Sequence, residues 1–187
     1  MNDKLDVIFF GDSLTFGYGV TKQDSWVYKL TEEYSLSSLN KACNGDTTVG
    51  MLTRYYTDVL TYNPSKIFIM GGTNDLLLGR SVTSIIDNIK IMINDAIDIN
   101  SKIIIGIPPR IIGAMANTCF SPSSFYNYTE SELLNLKKEL IKLCSAYEIP
   151  YINFYDLTLD KNDIYLDGIH LTASGHELMY KEALAYF

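Results

Sequence analysis

The chain has 187 residues, which is the length of one domain rather than two. Hydrophobic residues make up 47% of it and charged residues 20%, a composition typical of a soluble globular protein. A net charge of −7 argues against a nucleic-acid partner or an anionic membrane surface, and no apolar run approaches the ~20 residues that stable membrane insertion needs.

The amino terminus and the cysteines bear on localisation. Met1–Asp6 is polar and lacks a basic segment followed by an apolar one, so we expect no signal peptide. The three cysteines, Cys43, Cys119 and Cys144, are odd in number and form no Cys-x-x-Cys pair. This pattern is typical of reduced thiols in a cytoplasmic protein. A secreted domain that has lost its leader would show the same pattern.

The first half of the chain alternates between strand and helix patterns. We expect a strand at Val7–Gly11, a helix from Asp24 to about Tyr34, a short strand at Leu39–Cys43, a helix from about Thr48 to Leu60, and a strand at Lys66–Gly71. The unbroken apolar run in the last of these predicts a strand buried on both faces.

The second half continues the alternation. Apolar residues at helical spacing predict a helix over Ser81–Asn100, and a strand follows at Lys102–Ile107. Thr129 begins a capping-box pattern that predicts the start of the next helix. A strand at Tyr151–Phe154 and a last helix from Thr172 to about Tyr186 complete the pattern.

Five strands separated by helices predict an α/β domain that spans residues 1–187. Short connections and alternating elements favour a five-stranded parallel sheet covered on both faces and built by right-handed crossovers.

Residues 108–128 are the exception, since we expect a long irregular connection there, and such connections are often functional. Its apolar residues are candidates for a substrate pocket: Ile111, Met115, Phe120, Phe125 and Tyr126. Two alternatives stay open at this point, namely that the segment folds onto the core or forms a homo-oligomer interface.

Three polar residues suggest nucleophilic catalysis. Ser13 directly follows the first strand, where α/β proteins place their sites. Serine needs a base and a group that orients this base, and His170 and Asp167 can fill these roles. The other histidine, His176, lies within the last predicted helix, which favours a surface or packing role.

Acyl transfer also needs hydrogen-bond donors for the oxyanion. Three candidates follow strand ends: the backbone N–H of Ser13, the backbone N–H of Gly45 and the side-chain amide of Asn74. The carboxyl ends of parallel strands meet at one edge of a sheet, so we expect these donors to lie together.

Four short blocks of sequence contain these candidate residues, and together they resemble the SGNH hydrolases, the GDSL esterase/lipase family. The matching blocks are Gly11–Gly17, Asn44–Thr48, Gly72–Asp75 and Asp167–Leu171. The resemblance implies a flavodoxin-like three-layer α/β/α sandwich with Ser13, Asp167 and His170 as a catalytic triad and with Ser13, Gly45 and Asn74 as the oxyanion hole. It also implies cofactor-free hydrolysis of small-molecule acyl esters or thioesters, and it is strongest to the lysophospholipase, thioesterase and arylesterase branch.

The sequence also bears on several other functions. Two histidines and no paired cysteines leave few ligands for zinc, and nucleotide-binding glycine motifs are absent from the sequence. A carbohydrate O-acetylesterase remains an alternative, although the single tryptophan, Trp26, lies in a predicted helix rather than in a loop. A non-catalytic binding module on the same fold would not need all of Ser13, Asn74, Asp167 and His170.

Overall fold

The computed structural model describes residues 5–187, so residues 1–4 of the polar amino-terminal segment lie outside the described residues. The strands are β1 (Val7–Gly11), β2 (Ser38–Asn40), β3 (Lys66–Met70), β4 (Lys102–Ile107) and β5 (Tyr151–Asn153). The α-helices are α1 (Ser13–Phe16), α2 (Trp26–Glu33), α3 (Thr48–Asp58), α4 (Thr73–Leu77), α5 (Val82–Asp98), α6 (Gly113–Cys119), α7 (Phe125–Tyr147), α8 (Phe154–Leu157) and α9 (Ala173–Ala183).

The five strands form one parallel sheet in the order β2-β1-β3-β4-β5. In β1, Ile8 is aligned with Leu39 on one side and with Ile67 on the other. This is the flavodoxin-like strand order, in which β2 lies on one side of β1 and β3 lies on the other. Folds of this kind bind ligands at the carboxyl ends of the strands, at the point between β1 and β3 where the order of addition changes direction. The predicted fold class is confirmed.

A hydrophobic core lies on each face of the sheet. On one face Ile8, Phe10 and Ile69 pack among side chains of α3, α5 and α7. On the other face Phe9 and Phe68 pack among side chains of α2 and α9. Burial on both faces explains why β1 and β3 are continuous apolar runs rather than alternating ones.

The second strand is shorter than predicted. It ends at Asn40 instead of Cys43, and the Asn40 side chain turns to accept a hydrogen bond from the Ala42 N–H. The chain nevertheless stays beside β1, because the Lys41 N–H donates to the Phe9 carbonyl and the Cys43 N–H donates to the Gly11 carbonyl. This path brings the following turn to the carboxyl end of β1.

The prediction of an irregular connection over residues 108–128 is wrong. The segment contains α6 and the first turn of α7, and α7 begins at Phe125 rather than at a Thr129 cap. Thr129 is buried inside α7, and its hydroxyl has no hydrogen-bond partner within residues 5–187. Tertiary contacts account for the earlier start: the Gly113 N–H donates to Glu130 Oε2, and the Phe125 ring packs against Gly79.

Within residues 5–187, no helix combines the length and the apolar character that crossing a membrane requires. The three cysteines are all free thiols, with Cys43 and Cys119 exposed and Cys144 buried.

Candidate active site

The turn that carries Ser13 is fixed from several sides. Asp12 caps α1 by accepting a hydrogen bond from the Leu14 N–H at 3.0 Å, and the Trp26 indole donates to the Leu14 carbonyl. At Gly11, a Cβ atom would lie 2.5 Å from the Met70 carbonyl oxygen, so the close approach of β1 and β3 requires glycine there. These contacts place Ser13 as the first residue of α1, directly beyond β1.

His170 and Asp167 are joined to Ser13 by a chain of short hydrogen bonds. His170 Nε2 lies 3.0 Å from Ser13 Oγ, and His170 Nδ1 lies 2.7 Å from Asp167 Oδ2. Asp167 Oδ1 accepts hydrogen bonds from the backbone N–H groups of Ile169 and His170. With Nδ1–H donated to the carboxylate, Nε2 is free to accept a proton from the serine hydroxyl.

Asp167 is held in its ionised form. Burial works against the charge, but the hydrogen bonds from the backbone and ring of His170 and from the Ile169 N–H outweigh it, so the pKa of Asp167 is lowered. Gly168 makes the tight turn possible: its φ is +89°, and a Cβ there would lie 2.6 Å from the Ile112 carbonyl oxygen. An anionic carboxylate behind the imidazole is the arrangement that stabilises an imidazolium.

The remaining predicted donors lie on two neighbouring turns. Gly45 has a φ of +75°, is exposed, and a Cβ built there would meet no atom within 4 Å. Asn74 Nδ2 donates to the Asp46 carbonyl oxygen at 2.9 Å and lies 3.5 Å from Asp12 Oδ2. One amide hydrogen of Asn74 therefore holds the turn that carries Gly45, while the second is only weakly engaged.

Two backbone donors are unused in the part of the chain that the structure describes. Neither the Ser13 N–H nor the Gly45 N–H donates to a protein acceptor there. Free N–H groups beside a serine hydroxyl are the feature that an oxyanion hole requires. The oxyanion roles of Ser13, Gly45 and Asn74 stay predictions.

Charged residues brace these turns. The Thr48 N–H and hydroxyl both donate to the buried Asp75 carboxylate. Arg54 forms an ion pair with Asp46 at 2.7 Å and with Asp58 at 2.9 Å. Asp46 thus braces its turn through this ion pair, and Arg54 is a supporting residue that sequence reasoning missed. Its spacing of four residues from Asp58 on a helix was the available signal.

Asp12 is a buried carboxyl group beside the nucleophile. Burial raises its pKa to about 7, the carboxylates of Asp46 and Asp75 act in the same direction, and the hydrogen bond from the Leu14 N–H opposes the shift. The unfolded chain would release this proton near pH 3.8. The native state therefore binds more protons than the unfolded state between these two pH values.

Replacing Asp12 by asparagine is expected to stabilise the protein above pH 7. Because the native carboxyl keeps its proton longer, the free energy of unfolding of the wild type falls as the pH rises from about 4 to 7. A pKa raised from 3.8 to about 7 corresponds to a change in stability on the order of a few kcal/mol. Asparagine keeps the cap to Leu14 but does not ionise. Urea unfolding at pH 5 and pH 8 measures the difference, with the exposed Asp98→Asn as a control. Parallel pH curves for Asp12→Asn and wild type would contradict this assignment.

Ile111 differs from the other predicted pocket residues. Ile111 is fully buried in the core, so its prediction as a substrate contact is wrong: its side chain has no exposed surface. Met115 packs beside Gly168, which places α6 against the Asp167–His170 turn. Phe120 and Phe125 are 41% and 45% exposed.

Tyr126 is partly buried, and its ring lies 6.4 Å from the ring of Phe120. The substrate-binding roles of Met115, Phe120, Phe125 and Tyr126 stay predictions.

His176 has a structural environment. It is buried, and its Nδ1 accepts a hydrogen bond from the Trp26 N–H at 3.4 Å, at the start of α2. Burial lowers its pKa to about 4, so it is neutral at pH 7. Of the surface and packing roles that the sequence left open, the structure supports packing.

Tyr18 is a second residue that sequence reasoning missed. Its ring centroid lies 4.3 Å from that of His170. The flanking glycines, Gly17 and Gly19, were the available signal. Within residues 5–187, no group of three or more histidine, cysteine, aspartate or glutamate side chains is arranged to hold a metal ion.

The chain is similar in structure to several hydrolases. A member of the lipolytic protein G-D-S-L family from Veillonella parvula is 25% identical, with a TM-score of 0.82 over 97% of both chains. The lipase/acylhydrolase from Enterococcus faecalis is 25% identical, with a TM-score of 0.80 over 96% of this chain and 93% of that chain. An acetylxylan esterase from Geobacillus stearothermophilus is 14% identical, with a TM-score of 0.79 over 99% and 94% of the two chains, and shows the fold alone.

Sequence comparison gives one curated relative and one family. An uncharacterized lipoprotein, YqeF from Bacillus subtilis (strain 168), is 42% identical over 77 residues, which are 37% of this chain and 32% of that protein. The chain thus spans about a third of the length of that relative. The model of the GDSL-like lipase/acylhydrolase family matches residues 9–178. The chain belongs to this family and is a hydrolase of the GDSL type.

Proposed function

We propose that this protein is a serine esterase that hydrolyses small carboxylic esters or thioesters through an acyl-enzyme on Ser13. The observation that carries the proposal is the hydrogen-bond chain from Ser13 Oγ to His170 at 3.0 Å and from His170 to Asp167 at 2.7 Å. A serine hydroxyl with an imidazole on one side and an ionised carboxylate behind the imidazole is an activated nucleophile.

The reaction proceeds in two steps. Ser13 Oγ attacks the acyl carbon while His170 Nε2 takes the hydroxyl proton, and the imidazolium is stabilised by Asp167. The oxyanion is bound by the N–H groups of Ser13 and Gly45 and by the Asn74 amide. The carbon–oxygen or carbon–sulfur bond then breaks, and His170 returns the proton to the departing alcohol or thiol. Water attacks the acyl-Ser13 ester in the same way, with His170 as base, and releases the acid. No cofactor takes part in these steps.

Apolar surface around the carboxyl edge of the sheet favours acyl or aryl substrates. Large hydrophobic side chains there are between 41% and 63% exposed, and they are Phe16, Leu78, Phe120, Phe125 and Leu166. Trp26 is fully buried in the core and is not available to stack on a sugar. These features support lysophospholipid, aryl or short acyl esters over acetylated carbohydrate.

We also propose that the protein is located in the cytoplasm. The role of residues 108–128 as a homo-oligomer interface stays a prediction.

A substrate panel tests the proposed class. Purified protein is assayed with p-nitrophenyl esters of increasing chain length, acyl-CoA thioesters, a lysophospholipid and an acetylated xylan oligosaccharide, and Ser13→Ala is the blank. We expect the highest Ser13-dependent kcat/KM on an apolar acyl or aryl ester. A preference for the acetylated sugar would favour the O-acetylesterase, and no Ser13-dependent turnover on any ester would overturn the proposal.

Replacing Asn74 by alanine is expected to lower kcat. One oxyanion donor is typically worth about 10²–10³ in kcat, and a donor used only in the transition state should leave KM nearly unchanged. Asn74→Asp should be as harmful, since a carboxylate repels the oxyanion. Kinetics of the folded fraction measure this, with Asn88→Ala as a control because its amide also braces a turn through Thr48. Lower thermal stability with an intact kcat would make Asn74 a turn residue only.

A further inference from the structure

The loop after α1 places an aromatic ring in contact with the imidazole of His170. The ring centroids of Tyr18 and His170 are 4.3 Å apart, with 44° between the ring planes. This distance is that of direct packing, and it is shorter than the 5.2–6.5 Å separations between aromatic rings elsewhere in the described residues. Tyr18 is 46% exposed, so burial of its own surface does not account for its position.

The backbone holds Tyr18 in this position from both sides. The N–H groups of Gly17 and Tyr18 both donate to the Ser13 carbonyl oxygen, at 3.0 and 3.1 Å. Gly17 has a φ of +92° and Gly19 a φ of +84°, a left-handed conformation that other residues adopt only with strain. The ring therefore follows the same turn that presents the Ser13 hydroxyl.

The other side of the loop contacts the segment that carries His170. A Cβ at Gly19 would lie 2.4 Å from a methyl carbon of Leu166, and the Leu166 N–H donates to the His170 carbonyl oxygen at 2.8 Å. The loop and the histidine segment are thus packed as one unit, with the two aromatic rings between them.

We propose that Tyr18 is a positioning residue that holds the His170 imidazole toward Ser13 and stabilises the imidazolium through its ring face. The inference rests on the proposed function. A cation is attracted to the face of an aromatic ring, and His170 becomes cationic when it takes the Ser13 proton. The hydroxyl group of Tyr18 has no part in this role, so phenylalanine should replace tyrosine without loss.

The kinetic test compares two variants at position 18. Tyr18→Leu removes the ring and keeps apolar bulk, and we expect kcat to fall about 3- to 30-fold with KM within about twofold. Tyr18→Phe should match the wild type. The control is Tyr56→Leu, since Tyr56 is a 70% exposed tyrosine on α3. The exposure of Tyr18 predicts a melting temperature within about 2 °C of wild type for each variant.

A spectroscopic test is independent of turnover. The chain has two histidines, so proton–carbon NMR of histidine-labelled protein gives two sets of ring signals, with His176 as the internal reference. An aromatic ring alters the local magnetic field at a neighbouring ring, so removing the Tyr18 ring should shift the NMR signals of the His170 ring. Tyr18→Leu should move the His170 signals and leave those of His176 in place, while Tyr18→Phe should leave both near their wild-type positions.

The outcomes separate the two proposals. Wild-type protein without Ser13-dependent hydrolysis overturns the proposed function and this inference with it. Active wild type with unchanged kcat in Tyr18→Leu, or with unmoved His170 signals, overturns this inference alone. A loss that lies in KM, or that varies with the leaving group, would make Tyr18 a substrate contact and would likewise overturn the positioning role.

Discussion

Replacing Ser13 by alanine is expected to remove ester hydrolysis while the fold stays intact. A triad acts as a unit, and loss of the nucleophile typically costs on the order of 10⁶ in kcat. In the structure the Ser13 hydroxyl contacts His170 Nε2, whereas the turn is held by Asp12 and Trp26. Removing the hydroxyl should therefore leave the thermal unfolding transition close to that of wild type.

Ser25 offers a matched control for this substitution. It is a buried serine whose hydroxyl has no partner within the described residues, and it packs against Gly17 in the same loop region. Ser25→Ala should retain wild-type turnover. Initial rates on a p-nitrophenyl ester and a circular dichroism melt of each variant make the comparison. A Ser13→Ala protein that retains a rate within tenfold of wild type would refute the nucleophile assignment.

Replacing His170 by alanine is expected to have an effect of the same order. Without the imidazole, Ser13 keeps its proton and is a poor nucleophile. Because both residues serve one step, the double variant of Ser13 and His170 should be no slower than either single variant. Wild-type activity should rise with pH, since only the neutral imidazole accepts the proton.

The second histidine provides the control for this prediction. His176 accepts a hydrogen bond from the Trp26 N–H, and asparagine at position 176 presents an oxygen near the place of Nδ1. The main effect of His176→Asn should be a lower melting temperature, with only a small loss of kcat per folded molecule. Rates are normalised to the folded fraction of each variant. A deeper loss of kcat in His176→Asn than in His170→Ala would reverse the choice of base.

The sequence was most informative where local chemistry and strand position coincide. Ser13 and Asn74 come soon after β1 and β3, which end at the same sheet edge, and unbroken apolar runs made β1 and β3 predictable. The Asp167–His170 segment lies well beyond β5 and was recognised from its residue types. No single segment of the sequence determines the strand order that makes β1 and β3 neighbours. It was available only through the resemblance to a known family.

Tertiary contacts explain most of what the sequence did not predict. The capping-box pattern at Thr129 was overridden by packing of Phe125 on Gly79 and by the hydrogen bond from Gly113 to Glu130. Ile111 is buried in the core beside residues of α5 and α7, and a local apolar pattern cannot distinguish such a residue from a pocket residue. Composition and spacing carry no information on which side chains meet across the sheet.

The protonation and the packing partners of individual side chains could not be predicted from the sequence either. Asp12 is adjacent to Ser13 in sequence, but its raised pKa arises from burial and from carboxylates contributed by two other turns. The contact between Tyr18 and His170 joins residues from opposite ends of the chain. Such pairings depend on loop conformations that glycines permit but do not specify.

Covalent labelling of Ser13 tests the central claim most directly. The protein is incubated with a fluorophosphonate, and intact-mass and peptide mass spectrometry count and locate the adduct. We expect one phosphonyl group per chain, on the peptide that contains Ser13, no adduct on Ser13→Ala, and much slower labelling of His170→Ala. An unlabelled wild-type chain, or an adduct on another residue that persists in Ser13→Ala, would contradict the account.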